Sequence, residues 1–157
     1  VTTPDEIKSA ISKHLLEVAK VDTRKKRWWT ILIVDDQEIV QLATEAALKK
    51  QGYGILNAHD GADGLRLCLQ ERPHLVITDT LMPRMDGIEM FRSIKANQQV
   101  SHIPVIALSA KATAEEEAKL LEIGYFDFMA KPINPIRLVA RVKRALKQCY
   151  GNNPPKE

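Results

Sequence analysis

The sequence predicts an α/β domain in which a parallel sheet is covered by helices on both faces. From residue 30 onward, short apolar runs rich in β-branched residues alternate with helical patterns. The runs are apolar throughout instead of at every second position, as expected for strands that are buried on both faces. Five such strand and helix units follow one another, and this repetition predicts a doubly wound, five-stranded domain.

The elements follow in order along the chain. We predict strands at residues 31–34, 54–58, 75–78, 104–108 and 125–129. Helices are predicted at about residues 37–50, 62–71, 87–97, 113–122 and 135–148, where apolar residues recur at helical spacing. The chain after the last helix is predicted to be a flexible tail over residues 150–157.

An additional helix is predicted before the sheet. Thr3, Pro4 and Glu6 provide a capping threonine, a proline at the first helical position and a glutamate three residues after the threonine. An apolar stripe then predicts an amphipathic helix over about residues 4–20; its members are Ile7, Ala10, Ile11, Leu15 and Val18. We therefore divide the chain into an N-terminal helix with a basic linker (residues 1–29), the α/β domain (residues 30–149) and the tail. The stripe fits packing on its own domain, contact with a partner or pairing with a second copy.

Length and composition exclude several classes of protein. The 157 residues suffice for one domain, and no apolar run is long enough to span a membrane. The N-terminus lacks the pattern of a signal peptide, so we expect a cytoplasmic protein. Cys68 and Cys149 have no metal-binding spacing and are expected to be reduced. The net charge of +3 is too small to indicate nucleic-acid binding. Basic residues 24–27 precede Trp28 and Trp29, which favours a solvated linker with tryptophans on the domain edge over a phospholipid or nucleic-acid contact.

Polar side chains follow the predicted strands, at the edge where a parallel sheet forms its binding site. They are Asp35 and Asp36 after the first strand, Asp79 after the third, Ser109 after the fourth and Lys131 after the fifth. Three adjacent carboxylates repel one another unless a cation keeps them ionised, and Mg²⁺ prefers such oxygen ligands. A carboxylate can act as a nucleophile, while a metal ion and a lysine neutralise charge on a transferred phosphoryl group. The set predicts a metal-dependent phosphoryl-transfer site.

These motifs resemble the receiver domains of two-component response regulators, over about residues 30–149. The matching stretches are ILIVDD, LVITDTLMPRMDG, IPVIALSA and the Lys131-Pro132 pair. The resemblance, which is to regulators of the chemotaxis type, implies a flavodoxin-like fold with strand order 2-1-3-4-5. It also implies a signalling module instead of an enzyme, phosphorylated by a sensor histidine kinase or a histidine phosphotransfer protein.

The resemblance assigns a role to each matching position around the phosphoacceptor. Asp79 is the expected phosphoacceptor, and Lys131 is expected to pair with the phosphoryl group. The expected ligands of Mg²⁺ or Mn²⁺ are Asp36, Asp79 and the backbone carbonyl of Leu81, with Asp35 acting through water.

Further positions carry the expected response to phosphorylation. Ser109 would turn towards the phosphoryl group, and Phe128 would change rotamer with it. The Lys131-Pro132 bond is a candidate cis peptide. The face made by the fourth helix, fifth strand and fifth helix would then bind a downstream protein target. No direct contact with nucleic acid or membrane is expected. Whether the protein forms a homodimer is left open at this point.

Other residues near the acceptor are given structural roles. Asp86 is expected to cap the third helix, Gly87 to permit the turn before it, and Pro83 to stiffen the loop. Leu81 and Lys111 occupy positions that control the lifetime of the phosphorylated state in the resembling family. Because an apolar Leu81 gives an attacking water no polar guide, slow self-dephosphorylation is expected.

Rival functions on this architecture require motifs that the chain lacks. A phosphatase of the haloacid dehalogenase type needs a second aspartate two residues after the first, where this chain has Leu81. A nucleotide- or flavin-binding protein would carry a glycine-rich loop after the first strand. Two interpretations stay open: an interaction scaffold that does not depend on phosphorylation, and a receiver fragment of a larger regulator or hybrid kinase.

Overall fold

A five-stranded parallel sheet forms the centre of the protein. The computed structural model describes residues 3–9, 28–82, 85–111 and 113–155. The strands are β1 (Thr30–Val34), β2 (Gly54–Ala58), β3 (Leu75–Asp79), β4 (Val105–Ser109) and β5 (Asp127–Ala130). Their order across the sheet is β2-β1-β3-β4-β5, and every neighbouring pair is parallel. The predicted doubly wound fold and strand order are confirmed.

Five helices connect and cover the strands. They are α1 (Glu38–Lys49), α2 (Gly61–Glu71), α3 (Gly87–Ala96), α4 (Ala114–Ile123) and α5 (Pro135–Tyr150). One core lies between the sheet and α2, α3 and α4, and it contains Leu32 and Val34 from β1. The other lies between the sheet and α1 and α5, and it contains Ile31 and Ile33 from the same strand. Alternate residues of one strand thus enter opposite cores, which explains why the strand is apolar at every position.

The fifth strand shows the largest difference from prediction. It begins at Asp127, two residues later than predicted. Tyr125 completes the end of α4, and the Phe126 N–H donates to the Val105 carbonyl of β4 at 2.9 Å. Gly124 has a φ of +125°, which a glycine adopts readily, and the Tyr125 N–H donates to the Leu120 carbonyl at 3.2 Å. Tyr125 is then fixed by stacking on Phe91 with 4.1 Å between ring centroids.

Helix starts confirm the predicted cap and reveal one exception. The Asp86 carboxylate accepts from the Glu89 N–H at 2.8 Å at the start of α3, as predicted. Side chains also cap three other helices, those of Asp60, Thr113 and Asn134. The N-cap residue of α1 is Gln37, and its side chain makes no capping hydrogen bond.

The N-terminal region is described only in part. Residues 4–9 are helical, and the predicted reciprocal cap is present: Glu6 N–H donates to Thr3 Oγ1 at 3.2 Å, and Thr3 N–H donates to Glu6 Oε2 at 3.1 Å. The remainder of the predicted helix and the basic linker, residues 10–27, lie outside the described residues. None of the helices within the described ranges is long and apolar enough to cross a membrane.

The amino ends of the strands are closed by an aromatic cluster made of Trp29, His74 and Tyr150. Trp29 contacts both other rings, with centroid distances of 5.1 Å to His74 and 5.5 Å to Tyr150. The Tyr150 hydroxyl donates to the His74 carbonyl at 2.6 Å. This cluster joins the start of β1 to the end of α5, at the opposite edge of the sheet from the polar residues.

Candidate functional site

The sheet brings the predicted polar residues together at its carboxyl edge. Asp35 directly follows β1, Asp79 ends β3, Ser109 ends β4 and Lys131 directly follows β5. One carboxylate oxygen from each of Asp35, Asp36 and Asp79 lies within 4.8 Å of the others. The parallel register is the cause, because it ends neighbouring strands at the same level.

Lys131 is the electrostatic centre of this cluster. Its Nζ lies 2.9 Å from Asp79 Oδ2, 3.0 Å from Asp35 Oδ2 and 3.1 Å from Gln37 Oε1. Burial by itself lowers the pKa of Lys131, but its close contacts with the Asp79 and Asp35 carboxylates and their negative charges outweigh burial and raise it. The ammonium group is therefore held charged against the carboxylates.

Asp35 is the most buried of the three carboxylates. Its Oδ1 accepts from the Gln37 N–H at 2.8 Å, whereas its Oδ2 is buried without an aligned hydrogen bond, although Lys131 Nζ is near. Burial raises the pKa of Asp35 despite these neighbours. A buried carboxylate oxygen with no aligned donor, beside two further carboxylates, is the donor set that a hard divalent cation prefers. The residues therefore fit a Mg²⁺ ion.

Leu81 and the start of α3 at Gly87 lie close to Asp79. Asp79 Oδ1 accepts from the Leu81 N–H at 3.3 Å, and the Gly87 N–H donates to the Thr80 carbonyl at 3.1 Å. Gly87 is not among the glycines with positive φ, so the predicted role in permitting the turn is wrong. A Cβ atom at Gly87 would lie 2.0 Å from the Asp79 carbonyl oxygen, so glycine is needed there for close approach. Pro83, the other predicted loop residue, lies outside the described residues.

Ser109 and Phe128 lie on adjacent strands but face different surroundings. Ser109 Oγ accepts from the Lys111 N–H at 3.1 Å and donates to the Lys111 carbonyl at 3.3 Å, so its hydroxyl is engaged by its own loop. The Phe128 side chain is buried in the core shared with α2, α3 and α4. The Lys131-Pro132 peptide bond is cis.

Sequence reasoning missed two features, one within the site and one at the start of β5. The first is Gln37, which contacts both Lys131 and Asp35; its signal is a glutamine in a position where Ser, Thr, Asp or Asn is preferred. The second is the buried carboxylate of Asp127 in β5, which accepts from Arg141 and Arg144 of α5, each at 2.7 Å. A charged residue inside an apolar strand, with two arginines three positions apart on the next helix, is the available signal.

The fold and the site together define a parallel α/β domain with an acidic cluster and a half-buried lysine at the carboxyl edge of its sheet. The family model for the response regulator receiver domain matches residues 31–143. The chain belongs to this family and is a receiver domain of two-component signalling.

Individual relatives agree with this assignment. The chain is 35% identical over 118 residues to the alkaline phosphatase synthesis transcriptional regulatory protein PhoP of Bacillus subtilis. That match covers 75% of this chain but only 48% of the relative, so the chain spans about half of the relative's length. A response regulator from Desulfuromonas acetoxidans has a similar crystal structure: 46% identity, a TM-score of 0.73, and coverage of 78% of this chain and 100% of that one. The signal receiver domain of a histidine kinase from Syntrophus aciditrophicus is 31% identical with a TM-score of 0.71, covering 82% of this chain and 98% of that one.

Proposed function

We propose that the protein is a phosphorylation-dependent switch that accepts a phosphoryl group on Asp79. The observation that carries this proposal is the Asp79 carboxylate at the carboxyl edge of the sheet, 2.9 Å from the Lys131 ammonium and beside two further carboxylates. A lysine held between carboxylates can move its hydrogen bonds to an incoming phosphoryl group, because all of its donors lie on one rotatable nitrogen.

The transfer requires one bond to form and one to break. A carboxylate oxygen of Asp79 attacks the phosphorus of a phosphohistidine on a sensor kinase or a phosphotransfer protein. The phosphorus–nitrogen bond breaks, its electron pair stays on the imidazole nitrogen, and that nitrogen takes up a proton. Lys131 then neutralises part of the negative charge on the phosphoryl oxygens. The product is an acyl phosphate on Asp79, and the chain acts as a signalling module that assists its own modification.

A divalent cation completes this proposed site. Asp36, Asp79 and the Leu81 carbonyl would hold Mg²⁺ or Mn²⁺ directly, and Asp35 would act through water. The bound ion would supply positive charge for the phosphoryl oxygens and offset repulsion among the carboxylates. The buried, unaligned Oδ2 of Asp35 supports this part of the proposal.

The proposed output runs from Ser109 and Phe128 to the face formed by α4, β5 and α5. Ser109 Oγ would leave Lys111 and hydrogen-bond the phosphoryl group, and the Phe128 side chain would respond. Arg141 supports a link to the surface, because its Nη1 donates to both the Asp127 carboxylate and the Phe128 carbonyl, at 2.7 and 3.0 Å. A downstream protein target would bind this face.

The domain boundaries form a separate part of the proposal. We place an N-terminal helix and linker in residues 1–29, the receiver domain in residues 30–149 and a tail in residues 150–157. Because the chain spans about half of a curated relative, a larger regulator containing this receiver stays an open alternative. Removal of residues 1–20 tests whether the N-terminal helix mediates self-association. A lower mass by light scattering after this deletion would assign self-association to the N-terminal helix.

Intact-mass measurement tests the phosphoacceptor directly. The protein is incubated with Mg²⁺ and acetyl phosphate, and the wild type should gain the mass of one phosphoryl group. Asp79→Asn should gain none, whereas the matched exposed variant Asp5→Asn should behave as the wild type. Failure of the folded wild type to react with acetyl phosphate or with a phosphorylated donor protein would favour a scaffold that does not depend on phosphorylation.

A further inference from the structure

The side chain of the N-cap residue of α1 makes no capping hydrogen bond to its own helix. Gln37 has extended backbone angles, but its side chain makes no hydrogen bond to the first turn. Four other helices are capped by Asp or Asn carboxyl and amide oxygens or by a threonine hydroxyl. An N-cap side chain normally accepts a hydrogen bond from its helix. A residue at the edge of a functional site that breaks this rule is a candidate for a role in that site.

The Gln37 side chain is directed at the phosphoacceptor cluster. Its Oε1 accepts a hydrogen bond from Lys131 Nζ at 3.1 Å, and Lys131 Nζ lies 2.9 Å from Asp79 Oδ2. The Gln37 N–H also donates to Asp35 Oδ1 at 2.8 Å, which fixes the residue at both its backbone and its side chain.

The chemistry of lysine fixes the orientation of this amide. An ammonium group has only donors, so the glutamine atom that faces Lys131 must be the oxygen. The amide nitrogen, bonded to the same carbon, keeps two N–H donors at the exposed mouth of the cluster. Among the described residues, no hydrogen bond from Gln37 Nε2 is found.

We propose that Gln37 is a phosphoryl-binding residue, whose Oε1 stays on Lys131 while its Nε2 donates a hydrogen bond to an oxygen of the group on Asp79. This inference rests on the proposed phosphorylation of Asp79. When Asp79 becomes an acyl phosphate, the negative charge that attracts Lys131 moves from the carboxylate to the phosphoryl oxygens. Gln37 Oε1 and Asp35 then keep the ammonium group near these oxygens, and Gln37 Nε2 adds an uncharged donor to them.

Phosphorylation kinetics test both halves of the amide. Gln37→Leu removes the donor and the acceptor, and it should lower the rate constant for uptake from acetyl phosphate about fivefold to tenfold, the usual effect of one lost hydrogen bond. Gln37→Glu keeps an oxygen for Lys131 but replaces the donor with a negative charge, so uptake should be slower still. Gln51→Leu, an exposed glutamine beyond the other end of α1, is the matched control and should react as the wild type.

Nuclear magnetic resonance gives a readout that helix stability would not affect. The probe is the beryllium trifluoride anion, a phosphoryl mimic, added with Mg²⁺. The side-chain amide signals of Gln37, assigned by their loss in Gln37→Glu, should shift with this probe and stay near their original positions with Mg²⁺ alone.

The outcomes separate this inference from the proposed function. If the wild type gains a phosphoryl group on Asp79 but Gln37→Leu reacts equally fast and the amide signals do not move, the role of Gln37 is refuted while the function stands. If Gln37→Glu reacts like the wild type, the donor role is also refuted. If the wild type itself takes up no phosphoryl group, both proposals fail.

Discussion

Replacing Gly87 by alanine tests how closely α3 packs on the backbone of Asp79. A Cβ atom at this position would lie 2.0 Å from the Asp79 carbonyl oxygen and 2.9 Å from Thr80 Cα. Ordinary contact needs about 3.5 Å, so the start of α3 and the end of β3 would have to separate by roughly 1.5 Å. Both contacting atoms are backbone atoms, which cannot rotate away. Overpacking of this kind should lower the free energy of unfolding by about 3 kcal/mol.

Gly64→Ala provides the matched control within α2. Its added Cβ would meet Met90 Sδ at 2.6 Å and the two Val34 methyl groups at 3.0 Å, and the methionine side chain can move. Alanine also favours a helix interior over glycine by about 1 kcal/mol, so this variant should be close to the wild type in stability.

Urea unfolding followed by circular dichroism measures both variants. With a slope of about 2 kcal/mol per molar urea, Gly87→Ala should lower the midpoint by about 1.5 M. The displaced Asp79 should also accept a phosphoryl group more slowly under conditions where the variant is folded. A midpoint for Gly87→Ala within about 0.3 M of the wild type, or below it only as far as that of Gly64→Ala, would refute the close-approach argument.

Three further perturbations test other parts of the structure. Lys95→Met removes the donor to the Ser101 and Ile103 carbonyls, at 2.9 and 2.8 Å, and should lower the free energy of unfolding by about 2 kcal/mol. Urea unfolding measures this loss, and an effect no larger than that of the exposed variant Lys49→Met would contradict it. Leu81 is 74% exposed beside Asp79, and Leu81→Asn should speed loss of the phosphoryl group several-fold by giving an attacking water a polar guide. Intact mass followed over time checks this expectation, and a wild-type half-life of seconds would argue against slow self-dephosphorylation. Mg²⁺ should raise the melting temperature of the wild type by offsetting carboxylate repulsion, and Asp36→Asn should lose most of this increase in differential scanning fluorimetry. Equal increases in both proteins would place the cation elsewhere.

Most of the fold could be predicted because the distribution of apolar residues along the chain indicates which faces of each strand and helix are buried. Strands buried on both faces are apolar at every position, and β1 confirms this by sending Leu32 to one core and Ile33 to the other. The start of β5 could not be predicted in the same way. Tyr125 is apolar enough for a strand, but its N–H closes α4. Its ring is buried by stacking on Phe91, and its hydroxyl donates to the Gly87 carbonyl at 3.0 Å; both contacts are visible only in three dimensions.

The sequence predicts the site residues that lie at strand ends. It does not predict the contacts that arise only when distant parts of the chain pack together. Asp35, Asp79 and Lys131 each lie next to a strand, so the parallel register alone brings them together. The contact between Gln37 and Lys131 joins residues 94 positions apart and has no sequence motif that predicts it. Gly87 was identified as important for the wrong reason, because a turn glycine and a close-approach glycine look the same in a sequence.

The two edges of the sheet are built for different purposes. At the amino edge, the Tyr150 hydroxyl donates a hydrogen bond to the His74 carbonyl, and Trp29 packs on the rings of both residues. The polar groups there are hydrogen-bonded and the aromatic rings are in contact. At the carboxyl edge, three carboxylates lie within 4.8 Å of one another, and a buried oxygen of Asp35 lacks an aligned donor. Unfavourable local electrostatics of this kind persist only where the surrounding fold holds the groups in place. The stable amino edge and the two cores thus allow the carboxyl edge to keep charges that a cation and a phosphoryl group can rearrange.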